Sequence, residues 1–321
     1  MHKCKVRSHK AEIITKEEYE RHLQRVSADS FFHAVRKARE QVMGQPFEPE
    51  IYWYEKDFTL TMTRNVFGLF VVEVYINHVR CRFIIDTGAQ ISGIKAEKSA
   101  QIKLRETKGK LSIGSIGGKE KVMKGLCANS FQLGGVEFRE LPMIELDRSD
   151  FSLRFGNIDL FNFDGILGWD ILSQLDFELD DIQGEFKVLQ NRLRIEHPNM
   201  IVGGFPCLIV RMKNGNTALF GFDSGSKYSW IGEKEALQEQ LRISKEGNVL
   251  GFGVHGLESM ELKCIEEMEC YLDKAHIKLK DTMSGRVQLF PHFTFTGVLG
   301  NEIFRRRRIR FINSRSMVLL A

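Results

Sequence analysis

The sequence predicts a mainly β protein with two similar halves and a helical segment before them. Short apolar runs separated by glycine-rich turns begin near Ile51 and continue to the C-terminus, a pattern typical of an all-β barrel or sandwich. Four landmarks recur in the same order in the two halves, which indicates an internal duplication. The first sixty or so residues carry helix signals instead.

The helical segment has its own start and stop signals. Thr15 and Glu18 have the spacing of a capping box, in which each side chain accepts a hydrogen bond from a free backbone N–H group. A second helix is predicted from Asp29 to a stop at Gly44. The chain therefore divides into a helical extension (1–62), a first lobe (63–192) and a second lobe (200–321).

Composition narrows the class of protein. A hydrophobic fraction of 43% and a charged fraction of 27% are ordinary for a globular chain. The net charge of +4 gives no case for nucleic acid or membrane as a partner. The one dense basic cluster, at 305–308, fits a solvated loop or edge strand better than a binding patch. The basic N-terminus leads into no apolar segment, so we expect a cytoplasmic protein.

Cysteine and histidine usage gives no sign of a disulfide framework or a metal. Six cysteines in 321 residues include no CxxC pair, and the nine histidines form no HExxH motif. We expect reduced, mostly buried thiols and no cofactor. Cys81 and Cys207 fall on predicted strands and are interpreted as apolar filling.

The first three landmarks of the repeat surround an aspartate in each half. A hairpin asparagine, Asn77 or Asn214, precedes that aspartate by nine residues. An apolar strand then ends in FIIDTG (83–88) or GFDSG (221–225), and a serine follows six residues after the aspartate. The third landmark is a glycine-bearing hairpin, IGSIGG (113–118) or FGVHGL (252–257).

The fourth landmark is the strongest. The segment FNFDGILGWDIL (161–172) aligns without gaps to FTFTGVLGNEIF (293–304), with six identities in twelve positions. Aspartate also favours ordinary turns, but that interpretation leaves the recurrence of the same neighbours unexplained.

On these residues the sequence resembles the aspartic proteases, and the retroviral type more closely than the pepsin type. Such enzymes carry an Asp-Thr/Ser-Gly turn, a glycine-rich flap and a later apolar-apolar-Gly segment. The resemblance covers roughly residues 63–321 and implies two pseudo-symmetric acid-protease-like β-barrel lobes fused in one chain.

The resemblance also implies a site. Asp86 and Asp223 would form the catalytic pair, because two neighbouring carboxylates share one proton and supply both a base and an acid. Support of the two loops would come from Thr87, Gly88, Ala89, Ser224, Gly225, Ser226, Ile166, Leu167, Gly168, Val298, Leu299 and Gly300. The substrate-binding flaps would contain Gly114, Ser115, Ile116, Gly117, Gly118, Gly253, Val254, His255 and Gly256.

One departure from symmetry predicts unequal roles for the two aspartates. Ala89 follows the first Asp-Thr-Gly, whereas Ser226 follows the second Asp-Ser-Gly. A hydroxyl there can donate to the outer carboxylate oxygen, so we expect Asp223 to be ionised and Asp86 to hold the proton. On this hypothesis Ser226→Ala shifts the acidic limb of the pH–rate profile upward.

Two functions from different classes fit these motifs. The first is an aspartic endopeptidase that acts as a monomer on a peptide or protein in extended form. The second is a catalytically silent peptide-binding or regulatory module, since a fold does not guarantee activity. The N-terminal helices could pack structurally, inhibit the site or recruit a partner, and structural packing is the interpretation we favour.

Overall fold

The structure is a computed structural model of the chain. It describes residues 13–26, 29–114, 120–147, 154–155, 158–159, 161–192, 197–253, 256–285 and 295–321. Within these ranges, every helix falls short of the length and apolarity that a bilayer crossing requires.

The N-terminal helices begin and end where their capping residues predict. Helix α1 (Lys16–Arg25) begins after Thr15, and the capping box with Glu18 is formed in both directions. The predicted second helix is divided into α2 (Asp29–Phe32) and α3 (Ala34–Met43). Gly44 ends α3 with φ of 72°, a left-handed conformation that favours glycine.

Most of the remaining described chain is β structure, with short helices between strands. The strands are β1 (Glu50–Trp53), β2 (Phe58–Arg64), β3 (Phe70–Ile76), β4 (Val79–Ile85), β5 (Gly93–Lys95), β6 (Arg105–Gly114), β7 (Glu120–Leu133), β8 (Val136–Leu146), β9 (Arg154–Phe155), β10 (Ile158–Asp159), β11 (Gly165–Leu167), β12 (Asp176–Asp180), β13 (Glu185–Val188), β14 (Met200–Val202), β15 (Pro206–Met212), β16 (Thr217–Asp223), β17 (Trp230–Gly232), β18 (Ile243–Gly253), β19 (Gly256–Leu272), β20 (Ala275–Gly285), β21 (Gly297–Gly300), β22 (Arg308–Ile312) and β23 (Met317–Leu320). The short helices are α4 (Ala96–Ile102), α5 (Trp169–Leu172), α6 (Glu233–Gln238) and two 3₁₀ helices, Asn301–Phe304 and Asn313–Arg315.

The two halves of the chain build their sheets in the same way. In the first half, β11 lies between β4, to which it is parallel, and β5, to which it is antiparallel. In the second half, β21 lies between β16 and β17 with the same two orientations. The repeat in the sequence is therefore a repeat in topology, and the predicted two-lobed, mainly β fold is confirmed.

The paired hairpins before the two aspartates form as predicted. Asn77 and His78 join β3 to β4 with φ of 47° and 67°. In the second lobe Gly215, with φ of 93°, lies in the turn between β15 and β16. Positive φ at these positions is the reason that asparagine and glycine are favoured in tight hairpins.

Strands from the ends of the two lobes pair with each other. Strand β12, near the end of the first lobe, runs antiparallel to β22, near the end of the second lobe. Phe177 and Phe311 are opposite each other in this pair, and their rings stack with centroids 4.7 Å apart. This junction places the two lobes, and therefore their aspartate loops, in a fixed relation.

The N-terminal helices contact both lobes. On α1, Glu18 forms an ion pair with Arg211 at 2.9 Å, and His22 Nε2 lies 3.0 Å from the Thr217 hydroxyl. Residues Arg211 and Thr217 belong to the second lobe. At the end of α3, the Thr107 hydroxyl of the first lobe donates to the Val42 carbonyl oxygen.

The cysteines and the arginine run lie where the sequence predicts. The described cysteines are buried free thiols: Cys81, Cys127, Cys207, Cys264 and Cys270. Cys4 lies outside the described residues. Arg305 and Arg306 are exposed in a turn, and Arg308 begins β22, so the run is a solvated loop leading into a strand.

Candidate active site

The loop after β4, which begins with Asp86, and the loop at the end of β16, which begins with Asp223, approach each other closely. A Cβ built on Gly88 would lie 2.6 Å from the carboxyl carbon of Asp223, and one on Gly225 would lie 2.5 Å from that of Asp86. Only glycine permits this approach, because a methyl group at either position would overlap the opposite carboxylate. The two aspartates therefore face each other across the junction of the lobes.

Two buried hydroxyl groups join these loops. The backbone N–H of Thr87 donates to Ser224 Oγ, and that of Ser224 donates to Thr87 Oγ1, both at 3.0 Å. The Thr87 hydroxyl in turn donates to the Phe222 carbonyl at 2.9 Å, and the Ser224 hydroxyl donates to the Ile85 carbonyl at 2.7 Å. Each hydroxyl is thus both donor and acceptor across the lobes.

Each carboxylate accepts hydrogen bonds from two backbone N–H groups at equivalent positions of its own loop. Asp86 Oδ1 accepts from the N–H groups of Gly88 and Ala89 at 2.9 and 3.1 Å. Asp223 Oδ1 accepts from those of Gly225 and Ser226 at 2.8 and 3.1 Å. The Asp86 and Asp223 side chains are also within hydrogen-bonding reach of each other, and two carboxyl groups in such a position share one proton.

Both aspartates have a raised pKa. Burial, followed by the neighbouring charge of Asp223, raises the pKa of Asp86 well above its ordinary value. Burial also raises the pKa of Asp223, but the hydrogen bond from Asp86 and the two backbone donors oppose the increase. Because the two carboxyl groups interact, they titrate together as a pair.

The hydrogen bond predicted from the Ser226 hydroxyl to Asp223 does not form, so the predicted basis for unequal aspartates is wrong. The Ser226 hydroxyl donates to the Tyr228 carbonyl oxygen at 2.9 Å instead. The Ser226 backbone carbonyl accepts a hydrogen bond from the Asn301 N–H at 2.7 Å.

The apolar-apolar-Gly segments lie beneath the aspartate loops. Leu167 is in register with Ile85, and its carbonyl accepts from the Asp86 N–H at 3.0 Å. In the second lobe Leu299 is in register with Phe222, and Gly300 with Asp223. Ile166 and Val298, which precede the two leucines, are both buried.

The serines six residues after each aspartate hold these segments in place, a role that the sequence analysis missed. Ser92 Oγ accepts from the Gly168 N–H at 3.0 Å, and Ser229 Oγ accepts from the Gly300 N–H at 2.9 Å. Their recurrence in the repeat was the signal that could have identified them.

The residues after Gly168 and Gly300 also make contacts beyond their own loops. Trp169 is fully buried, and its indole N–H donates to the Gly203 carbonyl of the second lobe at 3.0 Å. Asn301, at the same repeat position, accepts a hydrogen bond from Arg64 at 2.6 Å. Arg64 lies outside the repeat, so nothing in the sequence pattern indicates this contact.

The predicted flaps are long antiparallel hairpins as far as the structure describes them. Gly114 ends β6 and pairs with Glu120 at the start of β7, and Gly253 pairs with Gly256 between β18 and β19. The tip residues lie outside the described ranges: Ser115, Ile116, Gly117, Gly118, Val254 and His255. Closure of the hairpins over a peptide stays a prediction.

Comparison with known proteins agrees with this geometry. Residues 72–171 match the family model described as aspartyl protease, a segment that contains Asp86 and Gly168. The predicted resemblance to aspartic proteases is therefore confirmed over this segment. A search of curated proteins found no match.

Among solved structures, the chain is similar to a retropepsin-like aspartic protease from Rickettsia conorii. The identity is 19%, and the match covers 44% of this chain and 94% of the other, with a TM-score of 0.28.

Proposed function

We propose that this protein is an aspartic endopeptidase in which Asp86 and Asp223 activate water for hydrolysis of a peptide bond. The observation that carries the proposal is the pair of facing carboxylates, hydrogen-bonded to each other and reached by matching backbone donors. A pair that shares one proton supplies a base and an acid at the same place, as peptide hydrolysis requires.

The shared proton gives the pair its two roles. In the proposed step the ionised carboxylate accepts a proton from the attacking water, and the carboxyl group that holds the shared proton supplies it to the substrate. The pair titrates as a unit, so the two apparent pKa values belong to both aspartates together. No cofactor enters the proposal, because the carboxylates themselves activate the water.

We propose a peptide or protein in extended form as the substrate. Both glycine-bearing hairpins are long antiparallel ribbons, and an extended peptide can add to such a strand through backbone hydrogen bonds. Since both aspartates lie in one chain, we further propose that the enzyme acts as a monomer. We also propose that it acts in the cytoplasm. Neither nucleic acid nor a membrane has a part in the proposal.

A peptide-library cleavage assay tests the proposal. The wild-type chain is compared with Asp86→Asn and Asp223→Asn, which preserve size but remove an ionisable group. We expect the wild type to cleave and each variant to lose at least about 10³-fold in kcat/KM, in line with other catalytic groups. Cleavage that survives either substitution rules out the paired mechanism.

The silent peptide-binding module gives a different result in the same assay. In that case library peptides bind to the wild type without being cut, and binding survives both substitutions. Folding of each variant is checked by circular dichroism, so that loss of cleavage is not confused with loss of structure.

A further inference from the structure

Arg64, the last residue of β2, is held by four contacts. Its Nε donates to Asp181 Oδ1 at 2.7 Å, and its Nη1 donates to Asn301 Oδ1 at 2.6 Å and to the Gly68 carbonyl oxygen. The guanidinium also lies over the Phe70 ring, 4.0 Å from its centroid. Because arginine is rigid and planar at its charged end, these contacts together fix its position.

Asn301 connects Arg64 to the second aspartate loop. The Asn301 side chain is buried, with its Nδ2 donating to the Ser224 carbonyl at 2.9 Å and its backbone N–H donating to the Ser226 carbonyl at 2.7 Å. Arginine can only donate hydrogen bonds, so Arg64 requires the amide oxygen on its side and turns the amide nitrogen toward Ser224.

The first aspartate loop is connected to a different arginine. Arg39, on α3, is 4% exposed, and its Nη2 donates to the Asp170 carbonyl at 2.5 Å. The Asp170 carboxylate accepts from the Ser92 hydroxyl at 2.7 Å, and Ser92 accepts from Gly168. The backbone N–H of Trp169, the residue between Gly168 and Asp170, donates to the Ala89 carbonyl at 2.7 Å.

We propose that Arg39 and Arg64 are positioning residues, each holding one aspartate loop at the geometry that the paired carboxylates need. Both precede the first aspartate in the chain, so the segment before the repeat serves both loops. This proposal rests on the proposed function for its catalytic consequence. Its structural consequence, the orientation of the N–H groups around each carboxylate, can be measured without catalysis.

The direction of the effect follows from the donors in each loop. The Gly225 and Ser226 N–H groups stabilise ionised Asp223, and they belong to the segment that Asn301 holds. Loss of Arg64 loosens this segment, weakens the donors and makes the anion less stable. The apparent pKa values of the pair therefore rise. By the same argument, loss of Arg39 raises them through the Gly88 and Ala89 donors to Asp86.

The first measurement is a carbon-13 NMR titration of the aspartate carboxyl carbons, assigned with Asp86→Asn and Asp223→Asn. We expect Arg64→Met and Arg39→Met each to raise an apparent pKa of the pair by about 1. Arg80→Met is the matched control, because Arg80 forms an exposed ion pair with Glu73 on a strand surface.

The second measurement is peptide cleavage. We expect Arg64→Met to lower kcat about tenfold with little change in KM, because small displacements of catalytic groups reduce turnover. Arg64→Lys keeps the charge without the planar guanidinium group, so its rise in apparent pKa and its loss of kcat should both be smaller. If Arg64→Met does not fold, the carboxyl titration and the kcat of Arg64→Lys test the proposal.

Folded Arg64→Met and Arg39→Met variants with the wild-type carboxyl titration would overturn the proposal. A wild-type chain that cleaves nothing, but whose carboxyl titration still shifts in Arg64→Met, would refute the proposed function and leave the positioning role supported. The two conclusions are therefore tested separately.

Discussion

At the scale of single residues, the crossed hydroxyls of Thr87 and Ser224 join the two aspartate loops. Thr87→Val keeps the branched shape and removes the oxygen, so the Ser224 N–H loses its acceptor in a buried place. We expect the free energy of unfolding to fall by about 1–3 kcal/mol, the cost of an unsatisfied buried group.

Urea unfolding at neutral pH measures this change. Ser226→Ala is the matched control, since its hydroxyl bonds only a carbonyl in its own exposed turn and the substitution should change stability little. Equal stability of Thr87→Val and wild type would show that the crossed hydrogen bonds add nothing to folding.

At the scale of elements, the N-terminal helices pack into the cores of the lobes. Phe31 of α2 is fully buried beside Phe205, and a Cβ on Gly203 would lie 2.0 Å from the Phe31 ring. Phe31→Ala should therefore lower the free energy of unfolding by about 3–5 kcal/mol. Phe32, the next residue, is 39% exposed and provides the control Phe32→Ala.

Thermal unfolding and peptide cleavage of the two phenylalanine variants separate packing from autoinhibition. Structural packing predicts lower stability in Phe31→Ala with no gain in cleavage. An increase in cleavage over wild type would instead indicate that the helices restrain the site.

Helix α1 also makes stability depend on pH. Burial, and then the charges of Arg25 and Arg21, lower the pKa of His22 to about 4, while Glu18 opposes the shift. In the unfolded chain His22 thus binds a proton near pH 6.5, whereas in the folded chain it binds one only near pH 4. Stability should fall by about 3 kcal/mol as pH decreases through this window.

The His22 contribution is isolated by comparing variants. His22→Gln cannot be protonated, so its unfolding free energy should lose less between pH 7 and pH 4 than that of the wild type. His33→Gln, at an exposed position, should keep the wild-type pH dependence. Parallel curves for wild type and His22→Gln would contradict the argument.

At the scale of the whole molecule, the lobes share one hydrophobic core. Phe177 of the first lobe stacks on Phe311, and Phe222 beside Asp223 also contacts Phe311. Both lobes should consequently unfold in one transition, with tryptophan fluorescence and far-ultraviolet circular dichroism coincident. Phe311→Ala should lower that single midpoint, whereas Ile182→Ala, 57% exposed, should not. Two separate transitions would show that the lobes are independent.

The fold and the pair of aspartates could be predicted because their signals are local and occur twice. FIIDTG and GFDSG are short segments, and each landmark in one half tests the interpretation of the other. The role of Ser226 was predicted wrongly for the opposite reason. A side-chain hydroxyl has several acceptors in reach, and the backbone path of the turn selects the Tyr228 carbonyl.

The sequence determined the strand repeat, the capping of α1, and the presence of one Asp-hydroxyl-Gly turn in each lobe. Only the tertiary structure revealed that the two aspartate loops hydrogen-bond to each other and that Arg39 and Arg64 are connected to them. Those arginines contact residues 131 and 237 positions away in the chain. Periodicity and turn chemistry describe near neighbours, whereas contacts over such separations depend on how the lobes and helices pack against each other.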